Sequence, residues 1–334
     1  MRAGVALLTI LALAAAGCTG QGGAAVTFGT SGSPPTVPGA SAATSCQAAP
    51  APPAVQEGWT TAPSESTVFP EVVNSSGSLT CGSNRLLYTF LDGENRPVAK
   101  PDRSASVALY DLGRDGATPV MAAEGSFVWG IENERGFYVA SVTFPEAGVW
   151  GAEFTTALAG GPAERVRMTF DVGTSTPVVR VGDPAPASDT ATGASVGGDL
   201  TRISTDANPD PAFYKASVKD ALAAHDPFVL IFATPKFCVS AQCGPTLDRV
   251  KPLAAEFPGV QFIHAEPYEL TYQQGSLRAV RDANGALVPT KAVLEWGLLS
   301  EPWVFVVDRA GTVTASFEGV VGTDELLAAV EAIR

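Results

Sequence analysis

Two cysteines stand with four residues between them in Phe237-Cys238-Val-Ser-Ala-Gln-Cys243-Gly-Pro-Thr246, just after the apolar run Phe228–Ala233. A thiolate can attack a disulfide, and a second thiol close by can then displace the product, so such a pair suits thiol–disulfide exchange. Geometry restricts how the two sulfurs meet. Residues five apart on one helix are turned by about 140° and rise about 7.5 Å, whereas a disulfide needs Cα atoms within about 7 Å. A bond between Cys238 and Cys243 therefore needs a non-helical turn. Gly244-Pro245 supplies one, because proline is favoured at the first helical position. The helix is expected to start at Pro245, with both sulfurs in the loop before it and its positive end stabilising a thiolate. A permanent disulfide without turnover is the alternative use of the pair. His264 lies on an expected strand, on the same face as Glu266. It can move a proton for a leaving thiol, or it is a satisfied core histidine. His225, in His225-Asp226-Pro227, reads as structural.

Composition removes several other chemistries. Only two histidines are present, which excludes multi-histidine metal sites and the His-Glu-x-x-His proteases. No Gly-x-x-x-x-Gly-Lys-Ser/Thr occurs. Lys plus Arg is 21 against 34 Asp plus Glu, a formal charge of −13, which argues against nucleic acid as a partner. Gly193-x-Ser195-x-Gly197 matches a hydrolase nucleophile elbow, but no apolar strand precedes it. No cofactor is called for.

The compartment is set by the N-terminus. Residues 1–17 carry Arg2, an apolar stretch and small residues, a secretory signal too short to span a membrane. Leu13-Ala-Ala-Ala-Gly17-Cys18 resembles a bacterial lipobox. The resemblance implies cleavage before Cys18, diacylglycerol on its sulfur, and a protein held to the outer side of the cell membrane. Four cysteines then remain in an oxidising compartment, and their spacing suggests Cys46–Cys81 and Cys238–Cys243 among three connectivities. Residues 18–66 read as a disordered tether. From Thr19 to Ser66, 37 of 48 residues are Ala, Gly, Ser, Thr or Pro, with too little apolar surface to offset the entropy of ordering. Cys46 and Trp59, near its end, are candidates for contact with the first domain.

Residues 67–173 change to period two, clearest in Val166, Met168, Phe170 and Val172. Short strands separated by Asp92-Gly93, Asp115-Gly116 and Arg135-Gly136, with no helical stretch, predict a β-sandwich. The run GFYVASVTFPEAGVWGAEF resembles the end of bacterial immunoglobulin-like domains. No catalytic constellation is present there. Residues 174–198 read as a Pro/Ala/Gly/Thr-rich linker. Residues 199–334, with a leading segment from about 181, alternate strand and helix: Phe228–Ala233, the helix Pro245–Phe257, Val260–Ala265, Pro302–Asp308, Thr312–Phe317, and a closing helix Thr323–Ile333 capped by Thr323.

That order, with cysteines straight after the first strand, resembles the thioredoxin superfamily, in its thioredoxin-like and peroxiredoxin branch. The resemblance rests on Val181-Gly-Asp-Pro-Ala-Pro186, Phe232-Ala-Thr234, Glu301-Pro302-Trp303, Phe305-Val-Val-Asp308-x-x-Gly311 and Gly319 before the last helix. It implies an α/β thioredoxin-like fold, with Pro302 as the cis-proline that presents backbone to a substrate's extended chain. The motif departs from Cys-x-x-Cys, and two alignments are open. In one, Phe237-Cys238 stands for Trp-Cys, and Cys243 is a displaced resolving cysteine. In the other, Cys243-Gly-Pro-Thr246 stands for Cys-Gly-Pro-Cys, and Cys238 is extra. The function implied is thiol–disulfide exchange with exported proteins. The alternatives are a copper or partner carrier, with His264 joining Cys238 and Cys243 as ligands, and a thiol peroxidase.

Overall fold

The computed structural model describes residues 47–51, 58–59 and 66–334. The expectations for the leader, the lipid on Cys18 and the partner role of Cys46 lie outside the described residues. Within them, an all-β unit is followed by an α/β unit.

The first unit is built from β1 (Val68–Val72), β2 (Gly82–Asp92), β3 (Arg103–Asp111), β4 (Met121–Glu124), β5 (Ser126–Ile131), β6 (Arg135–Phe144), β7 (Gly148–Leu158) and β8 (Glu164–Val172). They form two antiparallel sheets, β1-β2-β6-β5 and β4-β3-β7-β8. Alternate side chains of the two sheets meet in one core: Tyr88, Phe90, Tyr138 and Phe144 from the first, Leu109, Trp150 and Phe154 from the second. β2 and β6 break the alternation. Leu87, Phe137 and Val139 point away from that core, yet they are buried, in a second cluster with Val320 of the α/β unit. The near-continuous apolar runs of β2 and β6 thus record a sheet covered on both faces.

The stretch 18–66 does not run free throughout. The Ala49 N–H donates to the Ala147 carbonyl and the Ala147 N–H to the Gln47 carbonyl, and Trp59 is buried with the Arg167 guanidinium 4.6 Å from its ring. The stretch 174–198 is likewise woven into the second unit rather than joining two bodies loosely. Gly182 and Ala185 donate to the carbonyls of Val313 and Gly311, and Ser188 is buried, bonded to Glu295 and Trp296. Small and proline residues suit this, because an extended edge needs few side chains to lie flat on a hairpin.

The second unit contains α1 (Val218–Ala224), β9 (Phe228–Phe232), α2 (Cys243–Glu256), β10 (Gln261–Ala265), β11 (Leu270–Gln273), β12 (Ser276–Ala279), α3 (Lys291–Trp296), β13 (Trp303–Val307), β14 (Val313–Glu318) and α4 (Thr323–Glu331). Its main sheet has the order β10-β9-β13-β14. The β10–β9 pair is parallel, and the β9–β13 and β13–β14 pairs are antiparallel. Leu247, Val250, Leu326 and Val330 cover one face, and Val218, Val293 and Trp296 the other. β9 and β13 are therefore buried along their whole length, as their unbroken apolar sequences require. The connection between β10 and β13, unassigned from sequence, holds the β11–β12 hairpin and α3. The cap of α4 is Gly322 rather than Thr323, and its N–H donates to Glu325 Oε2 at 2.9 Å.

Polar contacts tie the units together. Arg85 on β2 donates twice to Glu325, at 2.9 Å each. Glu318 accepts from Ser75 N–H at 2.8 Å and from Asn74 at 3.2 Å. Arg249 on α2 donates to the carbonyls of Trp129 and Val321.

Candidate functional site

β9 ends at Phe232, and the chain turns through Thr234–Gln242 before entering α2. Cys238 and Cys243 are joined by a disulfide with Cα atoms 6.1 Å apart. α2 begins at Cys243 and not at Pro245. Proline is tolerated within the first turn because the first four helical N–H groups have no intrahelical partner in any case. Only Cys238 therefore lies in the loop, and Cys243 is the first helical residue. A left-handed Ala241, φ 60°, helps turn the loop back over the short span.

The two sulfurs sit differently. Cys243 is fully buried, and Cys238 is half-buried. The Cys243 N–H, at the helix start, donates to Cys238 Sγ at 3.3 Å. The Ser240 hydroxyl lies 3.4 Å from the same sulfur. The helix N-terminus thus serves Cys238, the sulfur outside the helix, and not Cys243.

Glu301 completes the cluster. It precedes Pro302, and the Glu301–Pro302 bond is cis. Its carboxylate accepts from Val239 N–H at 3.2 Å and from the Tyr268 hydroxyl at 2.7 Å, while its carbonyl accepts from Ser240 Oγ at 3.3 Å. One carboxylate oxygen and the two sulfurs all lie within 4.8 Å of one another. Burial pushes the Glu301 carboxyl up, and the bonds from Tyr268 and Val239 offset only part of that. Burial and the neighbouring Glu301 raise the Tyr268 phenol in turn. The sequence points to Pro302 and not to Glu301. The available signal is an acid that stands, with only Pro302 between, ahead of the fully buried run WVFVV.

His264 is corrected. It sits on β10, 2% exposed, with Nε2 2.8 Å from the Ala233 carbonyl and Nδ1 2.6 Å from the Tyr214 hydroxyl. A carbonyl only accepts, so Nε2 carries a proton, and Nδ1 is left to the tyrosine. Both nitrogens are occupied within the core, so His264 neither moves a thiol proton nor joins the sulfurs as a copper ligand. Glu266, on the strand's continuation, is bound to Thr205. Cys81 is disulfide-bonded, and Cys46, its expected partner, lies outside the described residues.

The first unit borders the site. Arg135 on β6 reaches the Ser240 carbonyl at 3.5 Å. A Cβ on Gly130 would collide with Gln242 Oε1 and the Phe137 ring, so the sandwich lies flush against the cysteine loop. On another side, Lys236 Nζ donates to Ser276 Oγ at 2.8 Å and to the Leu277 carbonyl at 2.9 Å, pinning the β11–β12 hairpin to the loop. Among the described residues, no helix is long and apolar enough to cross a membrane.

No protein-family model and no curated protein matches the chain. Among solved structures, the crystal structure of a DUF4426 family protein from Pseudomonas aeruginosa PAO1 is similar over 32% of this chain and 90% of its own, at 14% identity and a TM-score of 0.23. A likeness of that size carries no argument.

Proposed function

We propose that the protein is a thiol–disulfide oxidoreductase of exported proteins. In this reading its α/β unit is thioredoxin-like, its first unit is immunoglobulin-like, and lipid on Cys18 holds it at the outer side of the membrane. The observation that carries the reading is the unequal pair: a half-buried sulfur receiving a helix-terminal N–H, bonded to a fully buried one. In the reducing direction, the Cys238 thiolate attacks a partner disulfide. An S–S bond forms between Cys238 and the partner, and one partner sulfur leaves as thiolate. Cys243 then attacks Cys238 Sγ and frees the second partner sulfur. Two electrons pass to the partner, and the Cys238–Cys243 bond is restored. Oxidation of a partner dithiol is the same sequence reversed, and the difference in reduction potentials sets the direction.

Glu301 has the position to accept the proton of Cys243 as it becomes a nucleophile, and its raised affinity for protons suits that task. The short loop suits turnover. By chain entropy alone, a ring of six residues stabilises the fold by about 2 kcal/mol, so opening it need not unfold the unit. Access favours Cys238 as attacker and Cys243 as resolver.

The test is trapping in the full chain. Cys243→Ser should accumulate disulfide-linked partners, because the second exchange is lost, and Cys238→Ser should accumulate none. The opposite pattern exchanges the roles. Absence of complexes from both variants means the disulfide is structural.

A further inference from the structure

Once the disulfide opens, the cluster that remains is two thiols and a buried carboxyl with no basic side chain paired to it among the described residues. A buried carboxylate without a cation is costly, and a metal ion would supply the missing charge. The donors converge already, within 4.8 Å of one another. Zinc holds thiolates at about 2.3 Å and carboxylate oxygen at about 2.0 Å in a tetrahedron, which places two of its sulfurs somewhat under 4 Å apart. Reduced sulfurs need only separate to van der Waals contact to reach that spacing. Glu301 Oε1 accepts from Val239 N–H and Oε2 from the Tyr268 hydroxyl, and an ionised carboxylate oxygen keeps a further lone pair for a metal. Those two donors fix the carboxylate, and the Cys243 N–H fixes Cys238 Sγ, the kind of outer support that orients metal ligands.

We infer that the dithiol form of this protein is a Cys238–Cys243–Glu301 zinc site. Two thiolates exclude calcium and magnesium, which take oxygen ligands. One hard carboxylate oxygen beside them favours zinc over copper(I), which thiolates alone satisfy. Binding displaces the protons of both thiols to solvent and moves no electrons. Forming the dithiol takes two electrons from a thiol or phosphine reductant, which is oxidised to a disulfide or a phosphine oxide, and two protons from that thiol or from water. Oxidation of the pair removes two of the three ligands, so metal is held in one redox state only. Three protein ligands leave one coordination position open for water or a further thiol.

The site depends on the disulfide being reducible and not on exchange with a partner. The full chain is reduced with a water-soluble phosphine, freed of it without air, and titrated with Co²⁺ and then Zn²⁺. One Co²⁺ per chain is expected, with a thiolate charge-transfer band and tetrahedral visible bands that Zn²⁺ abolishes. The oxidised chain should show neither band. Glu301→Gln should weaken Co²⁺ binding by about tenfold or more, since a lost ligand costs at least what a lost outer-shell partner does. His264→Asn should leave it unchanged. X-ray absorption of the zinc-loaded wild-type chain should show two sulfurs and a carboxylate oxygen, and it needs no variant to fold. Reduced protein without the bands, equal affinity in Glu301→Gln, or a zinc shell with imidazole in place of carboxylate overturns the assignment. Metal binding without trapped partners would leave the zinc site standing and remove the exchange reading; trapped partners without metal would do the reverse.

Discussion

Two glutamates of the α/β unit are set in opposite surroundings. Glu325 lies at the seam with the sandwich, and Glu301 lies beside the disulfide. Burial alone would raise the Glu325 carboxyl, but the Arg85 hydrogen bonds and charge outweigh it and hold the carboxyl below its ordinary value. Glu301 has no such partner, and burial holds it above. The seam uses its charge to fix two bodies in one arrangement. The site leaves its charge unmatched in low dielectric, the condition under which a group exchanges protons or takes a cation. The same residue type therefore marks structure in one region and chemistry in the other, and what separates them is a single arginine.

The sharpest way to break that contrast is at the sulfurs. Cys238→Ser should lower exchange with a small disulfide probe by about 10³-fold or more, about 4 kcal/mol of barrier. The seam should not notice: Arg85–Glu325 joins β2 to α4, neither of which carries a residue of the cysteine cluster, and thermal unfolding should keep its acid dependence. Loss of the seam's acid dependence in Cys238→Ser would mean that the two regions are coupled.

At the seam, Arg85→Ala should destabilise by about 2 kcal/mol. This is below the 3–5 kcal/mol of a fully buried pair, because both side chains keep some exposure. The guanidinium also lies 5.6 Å from the Phe317 ring, so packing is lost along with charge. The sign with pH follows from the lowered Glu325 value. The pair's contribution is present above the ordinary carboxyl value and disappears as pH falls through the lowered folded one. Wild-type and Arg85→Ala stabilities, measured by denaturant titration, should therefore differ at neutral pH and converge in acid. A gap that persists in acid would assign the effect to packing alone.

Glu301 should show the opposite sign. Its raised value means that it favours the fold in acid and ceases to as pH rises through that value. Glu301→Gln removes the ionisation, so the variant should lose less stability than wild type between acid and neutral pH. Exchange should slow by about tenfold, less than a general acid–base group usually supplies, because water can also take a thiol proton. An unchanged rate and an unchanged pH profile would leave Glu301 a structural acid.

The fold was legible where burial is one-sided or complete. β9 and β13 announce themselves as five-residue apolar runs, and β8 as strict alternation. Gly182 and Ala185 were legible as a leading segment of the second unit only through a family resemblance, because backbone bonding along an edge leaves no periodicity. Leu87, Phe137 and Val139 carried a signal that the sequence could have yielded: alternation fails where a second body covers the outer face. At the site, the cysteine pair was legible from spacing, and the proline only from the family resemblance. The roles of His264 and Glu301 were not. Both are polar residues at the edge of apolar runs, and only three-dimensional contacts separate one whose nitrogens are both bonded in the core from one that faces sulfur.

The smallest expected effect lies where the two regions meet, at Gln242. Its side chain is 3% exposed, caps no N–H of α2, and neither amide atom has a hydrogen-bond partner in the protein. Its backbone is well used: the N–H donates to Ser240 Oγ at 3.3 Å and the carbonyl accepts from Thr246 at 2.9 Å. Substituting the side chain therefore leaves the helix start intact. Methionine has nearly the same length, needs no partner, and adapts to an irregular gap. An unmade bond to a buried amide costs about 1–3 kcal/mol, and part of that returns when the polar atoms are removed. Gln242→Met should raise stability by about 1 kcal/mol, a melting shift of roughly 2 °C for a chain of this size. Exchange should keep its rate, since the sulfurs and Glu301 are untouched. If the variant is instead destabilised, the amide is bonded to an ordered water between Gly130 and the cysteine loop, and the seam reaches the disulfide through that water.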